Sequence, residues 1–223
     1  MHDRFDGDAP HERPRSAPPD FAREIFWHVQ GALNVAGLDE VGRGALAGPV
    51  LAAAVILPPS AGDDPRLASV HDSKRLAPAA RAAAARAVHE VARAVALGAA
   101  SAAEIDALGI GAATHLAMRR ALAALGRPVA VALVDGRPVP RLAPHQEAIV
   151  GGDGLVLSIA CASVVAKVAR DGLLVRAGLE RPVYGLGTHK GYGTAAHLAA
   201  LCAHGPAACH RRTWQPVAAL RRP

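Results

Sequence analysis

The chain alternates between compact apolar runs and short polar or glycine-rich breaks, and the spacing inside each run predicts its element. Val35 to Leu38 and Pro49 to Leu57 (PVLAAAVIL) are continuous apolar segments either side of the turn Gly42-Arg43-Gly44, which predicts two paired β-strands. Pro78 to Val95 is alanine-rich, with Arg and Glu spread along it and a proline suited to a first helical turn, so it predicts a helix. A third strand is expected around Leu97 to Ala102. Gly111 to Leu125 carries apolar residues at helical spacing, Val129 to Val134 (VAVALV) reads as a fully buried strand, and Ser158 to Ala177 as a helix with an alanine-rich face. Residues 184–216 are dense in Gly, His, Tyr and Arg with little periodicity, and are expected to form a surface for contacts. Strands first, then helix and strand in alternation, predict an α/β layer architecture with a mixed sheet.

Composition narrows this picture. A chain of 223 residues with 51% hydrophobic residues excludes disorder of the whole and suits one domain. Residues 1–20 are polar, charged and proline-rich and are expected to be a disordered leader, with a single domain over 21–223. No apolar run reaches the length of a membrane span and the first thirty residues lack a signal-peptide core, so a soluble, cytoplasmic monomer that touches no membrane is expected. Cys161, Cys202 and Cys209 are expected to be thiols. Lys and Arg number 25 against 19 Asp and Glu, a formal charge of +6, which favours a polyanionic partner.

The chemistry sits in acids at strand ends. Asp39 and Glu40 end an apolar stretch before the glycine turn, and Asp135 ends VAVALV. Asp153, eighteen residues after Asp135, lies in the turn Gly151-Gly152-Asp153-Gly154 just before a predicted helix. Carboxylates at the edge of a buried sheet are costly to desolvate, and a divalent cation is a common remedy. Four convergent carboxylates suit two Mg²⁺ or Mn²⁺ ions about 3.5–4 Å apart, an arrangement that hydrolyses phosphodiesters. The competing reading of each acid taken alone is a turn or helix-cap residue.

The motifs that contain these acids resemble ribonuclease HII. Gly37-Leu38-Asp39-Glu40-Val41-Gly42-Arg43-Gly44 with Leu46-Ala47-Gly48-Pro49-Val50 is similar to that family's opening signature, and Asp72-Ser73-Lys74 to its DSK element. Val134-Asp135-Gly136 is similar to its third acidic motif. Ser158 to Ser163 with Ala166-Lys167-Val168 and Arg170-Asp171 resembles its long helix, and His189 to Thr194 and His210 to Thr213 complete the series. The resemblance implies a ribonuclease H-like fold, a mixed sheet flanked by helices with a helical C-terminal region. It also implies an endonuclease that cuts the RNA strand of RNA/DNA hybrids and nicks 5′ of single ribonucleotides in duplex DNA. Asp39, Glu40, Asp135 and Asp153 fall on the family's metal-binding, catalytic acids. The resemblance assigns substrate contacts to Gly42, Arg43 and Gly44 at the ribose, Tyr192 at the sugar of the RNA–DNA junction, and Ser73, Lys74, Lys190 and Arg211 elsewhere. Lys167 and Arg212 are further candidates for phosphates. Asp72 and Asp171 are set apart from the metal site, the first as a loop or phosphate-positioning residue, the second as half of a structural ion pair.

Other readings fare worse. Cys202, His204, Cys209 and His210 lack the two separated ligand pairs of a zinc site. Gly42, Gly44 and Gly48 do not make a dinucleotide loop, and acids directly before them would repel a pyrophosphate. A catalytically silent nucleic-acid-binding module is disfavoured by the presence of all four acids. The related ribonuclease HIII carries an extra N-terminal domain, which thirty mostly polar residues are too few to form.

Overall fold

The computed structural model describes residues 18–70, 76–143 and 145–220. Of the leader expected over residues 1–20, residues 1–17 lie outside the described residues, as does the element Asp72-Ser73-Lys74. Asp20 already belongs to the fold: its N–H donates to the Leu155 carbonyl at 3.1 Å and its own carbonyl accepts from Leu157 N–H at 2.8 Å.

A short helix α1 (Ala22–Val29) precedes the paired strands β1 (Val35–Val41) and β2 (Val50–Ile56). Then come α2 (Pro78–Val91), β3 (Ala94–Ala100), α3 (Ala102–Leu108), α4 (Ile110–Ala124), β4 (Val131–Asp135) and β5 (His145–Ile149). The long helix α5 (Leu157–Glu180), a one-turn α6 (Leu186–His189) and α7 (Ala195–His204) follow. The five strands lie in the order β3-β2-β1-β4-β5. β2 is antiparallel to both β1 and β3, whereas β1, β4 and β5 run parallel. The expected mixed sheet flanked by helices is thus observed.

Sheet faces are set by alternation along the strands. Ala36 and Leu38 of β1 join Ala132 and Val134 of β4 in a core under α4, whose Ala113, Ala117 and Ala121 are fully buried. Val35 of β1 and Val131 and Leu133 of β4 face the other way, onto Ile159 of α5. Small residues let both helices settle close to the sheet. A Cβ on Gly37 would lie 2.2 Å from the backbone of Ser158 in α5, and one on Gly98 2.2 Å from the Ala117 carbonyl in α4.

Several boundaries differ from the sequence reading. The helix expected to reach Val95 stops at Val91, because Arg93 N–H donates to the Ile56 carbonyl at 2.8 Å and Ala94 pairs with Ile56. Sheet pairing overrides alanine's helix propensity there, and β3 starts three residues earlier than expected. Three elements escape the sequence reading: α1, α3 and the edge strand β5. The C-terminal stretch is more than a contact surface. It contains α7 and folds onto its own core of Leu174, Tyr184, Leu186, Leu201 and Val217, joined by Leu46 and Ala47. Among the described residues no helix is long and apolar enough to cross a membrane.

Candidate active site

The site forms where β1 and β4 end side by side. Leu38 pairs with Val134 in parallel register, so the next residue on each strand is an acid, Asp39 and Asp135. Alternation turns both towards the α5 face, with Val35 and Gly37 on one strand and Leu133 on the other. Glu40, one residue on, belongs by alternation to the opposite face and is partly exposed. Asp153 arrives from a single helical turn (Gly152–Gly154) just ahead of α5. That turn is tied to β4 because Gly152 N–H donates to Asp135 Oδ1 at 2.7 Å.

Asp39 is the deepest of the four, 6% exposed. Burial, and then repulsion from Glu40, Asp135 and Asp153, holds its carboxyl well above the ordinary carboxylate range, while the Ser163 hydroxyl on α5 acts in the opposite sense. The other three acids are therefore within electrostatic reach of Asp39. As the side chains stand, no three His, Cys, Asp or Glu among the described residues close into a formed metal cage. This holds also for the Cys202, His204, Cys209 and His210 patch, and all three cysteines are free thiols. Burial raises Glu40 as well, opposed by Arg43, whose Nη1 lies 3.2 Å from Glu40 Oε1.

The glycine turn is held from behind by two buried arginines. Arg211 is fully buried and donates to the carbonyls of Arg43 (2.6 Å), Gly42 (2.6 Å) and Gly48 (3.2 Å). A planar trans peptide carries its N–H opposite its carbonyl, so the N–H groups of Arg43 and Gly44 face away from Arg211. Gly42 has φ +89°, and a Cβ there would lie 2.0 Å from Arg170 Nε, so glycine is required; Gly44 has open space around it. Arg170, equally buried, donates to the carbonyls of Pro49, Lys190 and Ala47 at 3.0 Å each and lies 5.7 Å from the centre of the Tyr192 ring. Burial lowers both guanidinium pKa values, that of Arg211 to about 10. Tyr192 is exposed, on a turn whose Gly191 carbonyl accepts from Leu46 N–H at 2.8 Å and Ala47 N–H at 3.2 Å.

Three of the basic candidates stand differently from the sequence reading. Arg211 cannot meet a phosphate, because its guanidinium is buried and committed to backbone carbonyls. Lys167 pairs with Asp171 at 2.8 Å, one helical turn away. Asp171 also meets Arg81 at 3.5 Å, so it is in a structural ion pair as expected, with Lys167 and Arg81 as its partners. Lys190, at φ +52°, turns its ammonium back to the Gly187 carbonyl. Arg43 and Arg212 are exposed. Sequence reasoning missed the part played by Arg170 and the buried His197; Arg170 is one of several charged residues on α5, and only its burial sets it apart.

The fold agrees with what the chain is similar to. A model of the family "Ribonuclease HII" matches residues 36–217. Ribonuclease HII of Synechococcus sp. (strain JA-3-3Ab) is 53% identical over 192 residues, 86% of each chain. That of Verminephrobacter eiseniae is 50% identical over 194 residues, 86% of this chain and 89% of the relative. Among solved structures, the ribonuclease H2 of Pyrococcus horikoshii OT3 superposes with TM-score 0.70 at 21% identity, covering 84% of this chain and 97% of that one. The Archaeoglobus fulgidus RNase HII, solved as a complex with PCNA, gives 0.67 at 25% identity, with 85% and 97% covered. A structure of Bst-RNase HIII with Mn²⁺ gives 0.65 at 22% identity, with 86% and 70% covered. With a family match that spans nearly the whole described chain and relatives near half identical, the chain belongs to the ribonuclease HII family, endonucleases of the ribonuclease H type that act on RNA/DNA hybrids.

Proposed function

We propose that this endonuclease, besides cutting the RNA strand of hybrids, nicks duplex DNA on the 5′ side of a single embedded ribonucleotide, leaving a 3′-hydroxyl upstream and a 5′-phosphate on the ribonucleotide. The observation that carries this is the placing of four carboxylates at the same end of the sheet as a glycine turn with outward N–H groups and an exposed tyrosine. Recognising one ribonucleotide means sensing one 2′-hydroxyl, and closely approaching backbone donors suit that task. The N–H groups of Arg43 and Gly44 are those donors. Tyr192 packs on the sugar at the junction, and the buried Arg170 links the two by lying against Gly42 and beneath the Tyr192 ring.

Asp39, Glu40, Asp135 and Asp153 would hold the metal. Their hard oxygen donors fit Mg²⁺ or Mn²⁺, and a buried Asp39 crowded by three like charges is stabilised by a cation. Bound there, two such ions would supply an activated water and neutralise charge at the phosphate and leaving oxygen. No protein nucleophile is required: water attacks phosphorus in line and the 3′-oxygen upstream departs. The chain's own part is to hold the ribose against the glycine turn so that the phosphate on its 5′ side lies among the acids.

Flanking duplex is met by positive charge. Arg119, Arg127 and Arg141 line a cleft of about 400 Å³ beside α4, and Arg119, Arg141 and His115 an adjoining one of about 290 Å³. Burial, followed by Arg119 and Arg43, lowers the pKa of His115. Ser73 and Lys74 complete the proposed contacts.

The test is cleavage of a labelled DNA duplex with one ribonucleotide, in Mn²⁺ or Mg²⁺ against EDTA, beside an all-DNA duplex. Metal-dependent nicking 5′ of the ribonucleotide alone is expected. Cleavage of long hybrids with the single-ribonucleotide duplex left intact would overturn the proposal.

A further inference from the structure

Behind Tyr192 lies a chain of imidazoles whose protons are ordered by their neighbours. His210 Nδ1 accepts from Ala207 N–H at 3.0 Å, so the ring's proton sits on Nε2. That nitrogen lies 3.0 Å from His197 Nε2, which must then accept, leaving the His197 proton on Nδ1. His197 Nδ1 in turn lies 2.9 Å from the Tyr192 carbonyl, to which it donates. His189 is ordered the same way. Its Nδ1 accepts from Gly191 N–H at 3.2 Å, its Nε2 donates to the Tyr184 carbonyl at 2.7 Å, and its ring stacks on His197 at 4.3 Å.

Each ring carries one proton and all three are neutral in this arrangement. A second proton would set two N–H groups head to head at 3.0 Å, on His197 against His210 Nε2–H and on His210 against Ala207 N–H. His197 is 0% exposed and His210 1%, and burial pushes both below the ordinary histidine range, His210 to about 4. Through His210 and His197 the donors run in one direction, from the segment after α7 towards the turn that presents Tyr192, whereas His189 accepts from that turn and donates away from it.

We propose that His197 is a positioning residue: its Nδ1, whose proton is ordered by His210, fixes the Tyr192 backbone from behind so that the exposed Tyr192 ring stands ready for the sugar. This rests on the reading of Tyr192 as the sugar contact. The two rings do not touch substrate. They add to the anchors the turn already has: the Gly191 carbonyl on the N–H groups of Leu46 and Ala47, Tyr192 N–H on the His189 carbonyl at 3.0 Å, and Thr194 N–H on the Tyr192 carbonyl at 2.8 Å. An ordered turn lowers the entropy lost when the sugar docks, so the effect belongs in KM for substrates with a junction.

The experiment compares His197→Asn with His197→Gln, because the asparagine amide replaces the Nδ1 donor to Tyr192 and the glutamine amide replaces the Nε2 side. His197→Leu removes both. Steady-state kinetics are measured on a duplex with one ribonucleotide and on a uniform RNA/DNA hybrid, with thermal melts to check folding and Tyr192→Ala in parallel. His197→Gln and His197→Leu are expected to raise KM roughly tenfold on the single-ribonucleotide duplex alone, the scale of one hydrogen bond, with kcat within about threefold. His197→Asn is expected to stay near wild type. Should the leucine variant not fold, the Asn and Gln pair decides. Equal KM for Asn and Gln, or equal losses on both substrates, overturns the proposal. If Tyr192→Ala leaves KM on the single-ribonucleotide duplex unchanged, the reading of Tyr192 fails and the positioning role with it; if Tyr192→Ala raises it and His197→Gln does not, the positioning role alone fails.

Discussion

Asp39 shows how little a residue's identity says without its surroundings. In sequence it is one of two adjacent acids; in the fold it is buried, bonded to Ser163 and pressed by three other carboxylates. Asp135 differs, for it also fastens the Asp153 turn through Gly152 N–H. Asp135→Asn keeps an oxygen for that bond but removes a charge, and is expected to lower cleavage by more than the roughly 10–100-fold that altering an outer partner of a metal ligand costs. Duplex binding by gel shift should stay within a few fold; binding lost in a folded variant would show that the carboxylate serves affinity instead. Tyr192→Ala is expected to reduce the preference for a ribonucleotide duplex over all-DNA about tenfold in competition binding, with non-specific affinity nearly unchanged. The places of the acids were legible because each lies at the end of an apolar run or in a glycine-rich turn, whereas the parts proposed for the glycine turn and Tyr192 came from the family resemblance. Arg211 was misread, since it and Arg212 are equivalent letters in sequence, and only burial separates a guanidinium that braces carbonyls from one that faces solvent.

At the scale of elements, glycine marks where helices press on the sheet. Gly98→Ala would drive a Cβ into the Ala117 carbonyl and Ala121 nitrogen, both backbone, at 2.2 and 2.3 Å. A loss of about 3 kcal/mol in denaturant melts is expected, and less than about 1 kcal/mol would mean that α4 can lift from β3. The seat of α1 offers a test by pH. Glu24, 1% exposed, accepts at Oε1 from Ser158 N–H at 2.8 Å, where α5 begins, and burial raises its carboxyl from 4.5 to about 7. The folded state holds this proton more tightly than the unfolded one. The stabilisation is therefore full below pH 4.5 and is lost as pH rises through 7. Glu24→Gln should abolish that slope and melt above wild type at pH 8 but not at pH 5; parallel melting curves across this range would refute it. Long elements such as β2, α4 and α5 were legible from periodicity. The end of α2 was not, because Ala92 to Val95 favours helix locally and is recruited to β2. α3 was legible in principle: Ser101 and Glu104 form a capping box, with Glu104 N–H on Ser101 Oγ at 3.2 Å and Ser101 N–H on Glu104 Oε2 at 2.8 Å.

For the whole molecule, the excess of six positive charges becomes informative only once the fold gathers part of it beside α4. Binding of a ribonucleotide duplex should weaken linearly with log salt, and Arg141→Ala should reduce that slope by about one, the share of a single phosphate contact. An unchanged slope would leave the cleft without a part in duplex binding. By itself the sequence determined the layer class, the central strands, the long helices and the motifs, since these depend on hydrophobic period and on residues close together in the chain. Only the tertiary structure decided which charges are buried, which histidines share a proton, and that the C-terminal segment folds onto Leu46 and Ala47 beside the glycine turn. Those properties depend on desolvation and on contacts between residues more than a hundred positions apart, such as Arg211 with Gly42. Neither is encoded in any local stretch of the chain.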